Sequence, residues 1–167
     1  MESSASFNAP WSKSLKFMTG VFAVILAGIA LIGIFTASET ALEGAVSMTA
    51  IPLAILLISA LFTIRGYVLT KNTLIIRRLV WNTRLDLTGL ISAEAKPKAM
   101  SKSIRTFGNG GLFCFAGAFH NKALGSYRAF VTDTSRTVVL KFANRTVVVS
   151  PDKPEEFVTQ IKNFRKI

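Results

Sequence analysis

Two apolar runs, Phe17–Ala37 and Ala45–Ile64, constrain this chain more than any other feature. The 22 residues between Lys16 and Glu39 carry no charge, and neither do the 20 residues 45–64. At ~1.5 Å of rise per residue, the two helices would be about 33 Å and about 30 Å long, the thickness of a bilayer's hydrocarbon core. A membrane-embedded helical hairpin over residues 15–64 is expected. The flanks fit a cleaved signal peptide poorly, because the apolar stretch is too long and a second one follows at once.

Charge sets the expected orientation. Residues 65–167 hold 18 Lys/Arg against 6 Asp/Glu, a net charge of +12. Lys13 and Lys16 precede the first run, and the connection Ser38–Gly44 holds only Glu39 and Glu43. The positive-inside rule then places both termini in the cytoplasm. A basic domain below such a hairpin would also be drawn to anionic headgroups, by ~1 kcal/mol per basic residue near the surface. The single cysteine, Cys114, has no partner for an intramolecular disulfide, which suits a reducing compartment.

Residues 1–14 read as a disordered tail, with Trp11 at the membrane interface. In the first helix, Ala23, Ala27 and Ala30 lie close to one face, a place for the second helix to approach. Pro52 in the second run predicts a kink. Beyond Arg65 the pattern alternates, as in half-buried strands. The expected strands are Gly66–Thr70, one long bent strand Leu74–Leu87, Leu90–Ala95, Leu112–Phe119, Ser126–Asp133, Thr137–Phe142 and Thr146–Ser150. Hairpin spacings join the last three. On Leu74–Leu87, Leu79, Trp81, Leu85 and Leu87 share the apolar face, and Arg78, Asn82, Arg84 and Asp86 the polar one. Residues 96–111 lack a period and read as a loop. A helix follows, with Ser150, Pro151 or Asp152 at its cap, Glu155 three residues after Asp152, and Phe157, Ile161 and Phe164 as its apolar stripe.

Short strands followed by one amphipathic helix imply a bent antiparallel sheet, or partly open barrel, closed by that helix. Within that order stand Gly66-Tyr67-Val68-Leu69-Thr70 with Leu74-Ile75-Ile76, Arg105-Thr106-Phe107-Gly108-Asn109-Gly110-Gly111, Gly117-Ala118-Phe119 and Leu124-Gly125, and Ser150-Pro151-Asp152-x-Pro154-Glu155-Glu156-Phe157. Over about residues 64–164, the element order resembles the pleckstrin-homology (PH) architecture and these residues resemble a bacterial membrane-associated family with a PH-like domain. The resemblance implies a membrane-tethered, non-catalytic domain and transfers no catalytic residue, no cofactor and no defined phosphoinositide site.

Three regions remain for function. Residues 96–111 carry Lys96, Lys98, Lys102 and Arg105, then Phe107, Gly108, Asn109, Gly110 and Gly111. Cations beside glycine-borne backbone N–H groups suit an anionic headgroup or an acidic peptide, whereas the plain alternative is a solvated loop with Phe107 docked on the sheet. Arg77, Arg78 and Arg84 form a second basic set, facing the bilayer or serving solubility. His120 with Glu94 is the only pairing an enzyme reading finds. Cys114 between Phe113 and Phe115 reads as a small buried hydrophobe. No phosphate-binding loop, dinucleotide fingerprint or nucleophile elbow occurs, and nucleic-acid binding has no motif behind it. The expected protein is an interaction module for anionic lipid or a membrane or cytoplasmic protein, at the inner face of a bacterial plasma membrane. The alternative is an accessory subunit of a transporter-like complex, contacted through the hairpin.

Overall fold

The computed structural model describes residues 4–36 and 42–165. Most of the expected Ser38–Gly44 connection, Glu39 included, lies outside the described residues. The two apolar runs form α1 (Lys13–Phe35) and α2 (Leu42–Leu61). Both are long and apolar enough to cross a membrane. Apart from their mutual contact, most of their apolar side chains face outward, among them Phe17, Val24, Ile51 and Leu57.

The helices meet through Ala30 and Gly33 on α1 and Ala45 and Thr49 on α2. A Cβ on Gly33 would lie 2.6 Å from Thr49 Oγ1 and 2.9 Å from the Ala45 carbonyl oxygen, so only glycine permits this approach. Thr49 Oγ1 donates to the carbonyls of Ala45 (3.0 Å) and Ala30 (3.2 Å). Of the expected Ala23–Ala27–Ala30 face, Ala30 is buried and Ala23 half-buried, but Ala27 is exposed. The contact continues at i+3, to Gly33.

Two sheets follow. The first has the order β1 (Ala5–Asn8), β2 (Ile64–Leu69), β3 (Thr73–Arg78), β4 (Asn82–Asp86). The second comprises β5 (Leu90–Ala95), β6 (Ile104–Gly110), β7 (Phe115–Asn121), β8 (Gly125–Val131), β9 (Val138–Phe142) and β10 (Thr146–Val149), in the order β5-β9-β10-β8-β7-β6. Their facing sides bury one core, which includes Phe7, Tyr67, Leu74, Ile76, Phe130, Leu140, Val147 and Val149. Helix α3 (Pro154–Arg165) adds Phe157 and Ile161, both fully buried, with Phe164 packed at the margin. A mainly-β, PH-like domain with two sheets and a C-terminal helix is therefore present, and the barrel is not closed. Tyr67 bolts the sheets together. Its hydroxyl donates to the Phe130 carbonyl (2.7 Å) and accepts from the Ser150 N–H (3.1 Å). Burial pushes its ionisation up to about 12.

Five expectations need correction. Residues 5–8 are not part of a disordered tail. They pair with β2, because Phe7 is buried edge-on against Phe157 at 5.0 Å. A strand from before the hairpin thus forms the edge of the first sheet. Leu74–Leu87 is a hairpin, β3 and β4, whose tip leaves Leu79, Val80 and Trp81 exposed while Leu85 and Leu87 are buried. The buried positions are even in β3 (Leu74, Ile76, Arg78) and odd beyond the tip (Leu85, Leu87), so the turn shows only as a change of phase. Residues 96–111 are not one loop, since 104–110 form β6. The sheet is not wholly antiparallel. β10 lies between β8 and β9 and pairs parallel with β8, so β8 and β9 form no hairpin. Lastly, Asp152 does not cap α3. Its carboxylate accepts from Asn8 N–H (3.1 Å) and Nδ2 (3.3 Å), holding β1 to the domain.

Candidate functional site

The helices are joined to the domain by hydrogen bonds at both ends of the hairpin. At the start of α1, Ser12 Oγ accepts from Leu15 N–H (3.0 Å), an N-cap, and Ser12 N–H donates to the Thr132 carbonyl (3.1 Å). Leu15 is fully buried. Two turns on, Thr19 Oγ1 donates to the Gly111 carbonyl (3.3 Å) and accepts from Phe113 N–H (3.0 Å). The Trp11 and Phe113 rings meet edge-on at 6.0 Å.

Just beyond α2, the Phe62 carbonyl accepts from the Arg78 guanidinium (2.7 Å) and from Cys114 Sγ (3.3 Å). A cation here also meets the negative end of the helix dipole. Arg78 Nε donates to Thr83 Oγ1 (3.2 Å), and its guanidinium lies 5.4–5.9 Å from the Phe62, Phe130 and Trp81 ring centroids. Arg78 is buried, and that burial lowers its pKa. It belongs to the joint and is not a surface contact, contrary to the polar-face expectation. Burial likewise pushes the Cys114 thiol up to about 11, which keeps it neutral and unreactive.

Residues 96–103 form a pinned strap across the outer face of the second sheet. Lys96 N–H donates to the Thr137 carbonyl (2.8 Å), Lys98 N–H to Thr134 (3.0 Å), and Ala99 N–H to Thr137 Oγ1 (3.1 Å). Asn121 Nδ2 donates to the Ala99 carbonyl and to Ser103 Oγ, both at 2.9 Å. Ala99 and Met100 are buried over a second apolar cluster containing Phe119, Tyr127, Val131 and Val148. Lys96, Lys98 and Lys102 therefore project from a fixed backbone. Lys98 and Lys102 take left-handed conformations, φ +57° and +55°, which glycine adopts at lower cost.

The register separates these cations. β5 ends against the start of β9, so Lys96 and Lys98 lie toward the helix-bearing end. Arg105 pairs with Phe119 toward the other end. Phe107 does not dock on the sheet and is 79% exposed. The glycine segment is a hairpin arm. Gly108, at φ +99°, opposes Gly117, at φ +142°, in the β6–β7 ladder. Gly111 is also left-handed, at φ +126°, whereas Gly110 is not. Asn109 Oδ1 accepts from the N–H groups of Gly111 (3.2 Å) and Leu112 (3.0 Å), and Gly111 N–H also reaches the Cys114 carbonyl. Those N–H groups serve the turn and leave no anion cradle there.

Arg77 and Arg84 are exposed on the outer face of the first sheet, opposite the strap across the sandwich. The two basic sets are thus separate surfaces. Glu94 and His120 are likewise apart. Glu94 pairs with Val139 on the outer face, and His120 alternates onto the inner face, where its Nδ1 lies 3.2 Å from Ser126 Oγ. Four strand spacings separate them, about 19 Å along the sheet. No acid–base dyad forms. Among the described residues, no group of three or more His, Cys, Asp or Glu is placed to hold a metal ion. The sequence does not single out Thr19, Phe62 and Thr132 at the joint; a Thr near the start of an apolar run was the available signal for the first.

Residues 65–164 match the family model described as "Bacterial PH domain". No curated protein and no solved structure matches the chain significantly.

Proposed function

Because the chain belongs to the bacterial PH domain family, we propose that it is a membrane-anchored, non-catalytic interaction module at the inner face of a bacterial plasma membrane. PH domains are generally non-catalytic interaction modules. The observation that carries the reading is the joint. Two helices whose apolar faces stay uncovered are hydrogen-bonded into a basic PH-like domain, so that membrane insertion would also fix how the domain is displayed. α1 and α2 span the bilayer, with Lys13, Lys16 and Arg65 on the cytoplasmic side and Glu43 at the other end. The strap cations Lys96, Lys98 and Lys102 recognise an acidic protein partner or anionic lipid.

Two results are expected. Reporter fusions at Ile167 and within Ser38–Gly44 should report cytoplasm and periplasm respectively. A periplasmic signal from the Ile167 fusion would overturn the orientation. Replacing Lys96, Lys98 and Lys102 together by Ser should abolish copurification of partners from mild detergent, while the unfolding midpoint moves little, because exposed charges contribute within about ±0.5 kcal/mol. A folded triple variant that retains every wild-type partner would remove the strap as the recognition surface.

A further inference from the structure

The β3–β4 tip is apolar where a water-facing turn would carry Gly, Asn or Asp. Leu79 is 52% exposed, Val80 69% and Trp81 38%. Its position is fixed by register. Arg78 pairs with Ile64, the first residue of β2, so residues 79–81 project past the start of that strand and run beside the exit of α2. There Trp81 meets Phe62 edge-on, with ring centroids 5.0 Å apart. Arg78 N–H donates to the Trp81 carbonyl (3.1 Å), and the Arg78 side chain ties the same hairpin to the Phe62 carbonyl, so the tip is held to the end of the helix. Exposed Arg65 and Arg77 flank the tip.

We infer that this tip is a membrane wedge, with Leu79 and Val80 seated in the headgroup–acyl boundary of the bilayer that α2 crosses, Trp81 at the interface, and Arg65 and Arg77 on lipid phosphates. The inference rests on the membrane-anchored reading above. Continuity with α2 selects lipid over a protein occupant. The tip lies level with Phe62, just past the end of α2, and any bilayer that accepts the helix must lie against it. Aromatic rings and arginines at that level match the preference of both for the interface. The start of α1 repeats the arrangement with Trp11 and Phe113. The domain is thereby docked on the bilayer at two points and does not swing from a tether.

The test uses the full chain in vesicles of phosphatidylcholine and phosphatidylglycerol. Since the chain has two tryptophans, Trp11→Phe leaves Trp81 as the sole reporter. Trp81 should be quenched by lipids brominated near the headgroup more strongly than by lipids brominated at the chain ends. Val80→Asp should weaken the shallow quenching by about twofold or more, since a carboxylate disfavours the boundary. A second variant, Ile51→Trp with Trp11→Phe and Trp81→Phe, reports the middle of α2 itself and should be quenched by the deep bromines. Deep quenching of Ile51→Trp with no lipid quenching of Trp81 would overturn the wedge and leave the anchor standing. No quenching at either position would overturn both. Trp81 shielded from lipid bromine and from aqueous iodide alike would assign the tip to a protein contact and overturn the wedge.

Discussion

Gly117→Val should abolish the native fold of the domain, at a cost of about 4 kcal/mol or more. Gly117 sits at φ +142°, a region closed to side-chain-bearing residues. A Cβ there would overlap the Phe107 carbonyl oxygen and lie 2.9 Å from Gly108 Cα. Both obstacles are backbone of the paired strand, so no rotamer change relieves them. The opposite glycine, Gly108, meets the Ala116 carbonyl in the same way. The pair lets β6 and β7 approach past the bulge between Arg105 and Phe107. Gly125→Ala supplies the comparison. Gly125 is left-handed at φ +67°, but nothing lies within 4 Å of the added atom. Its cost should be about 1 kcal/mol, the conformational term alone. Denaturant unfolding of the full chain in micelles, followed by near-ultraviolet circular dichroism, distinguishes the two. Equal losses from the two variants would refute the steric argument.

How much of this was legible in the sequence depended on whether one local signal sufficed. The helices were, because length and absence of charge need no tertiary context. So was α3, where Phe157, Ile161 and Phe164 recur at helical spacing and are buried as expected. β1 was not, since four residues with one apolar anchor give no period; its stability comes from Phe157 and Asp152, some 145 residues away. The β3–β4 turn was hidden because Arg78, Leu79, Val80 and Trp81 carry no turn residue. The parallel pairing of β10 with β8 is a long-range choice that hairpin spacing does not register. The site was read in part. The lysines of 96–102 do face outward, but the sequence assigned them to a loose loop because the pinning groups are distant in sequence, Asn121 at the end of β7 and Thr134 and Thr137 in the β8–β9 connection. The reading of Arg78 failed for a specific reason. Strand alternation places a residue on a face, and Arg78 sits on the inner face at its very end, where a guanidinium can enter among rings and still find a carbonyl.

That placement makes Arg78 the second position at which a single change should act strongly. Arg78→Ala should destabilise the chain by about 3–5 kcal/mol, from two charge-assisted hydrogen bonds and cation–π contacts out of water. The loss should be local to the joint. Without the guanidinium, the Phe62 carbonyl keeps only the weak Cys114 thiol donor, and Phe62, Trp81 and Phe130 line a void. Arg78→Lys should recover only part of the stability. An ammonium can reach the Phe62 carbonyl, but it lacks the planar fork that serves Thr83 Oγ1 at the same time. Arg78→Met separates charge from volume, since it fills the space and offers no donor. If packing alone mattered, Met would match the wild type; the hydrogen bond to Phe62 requires that it fall below Lys. The readout is twofold. Denaturant midpoints give the order wild type, Lys, Met, Ala, and trypsin should cleave after Arg65 in the Ala variant at concentrations that leave the wild type intact, because the connection from α2 to β2 is then released. An Ala variant that keeps both its midpoint and its resistance at Arg65 would mean that the hairpin and the domain are joined through α1 alone.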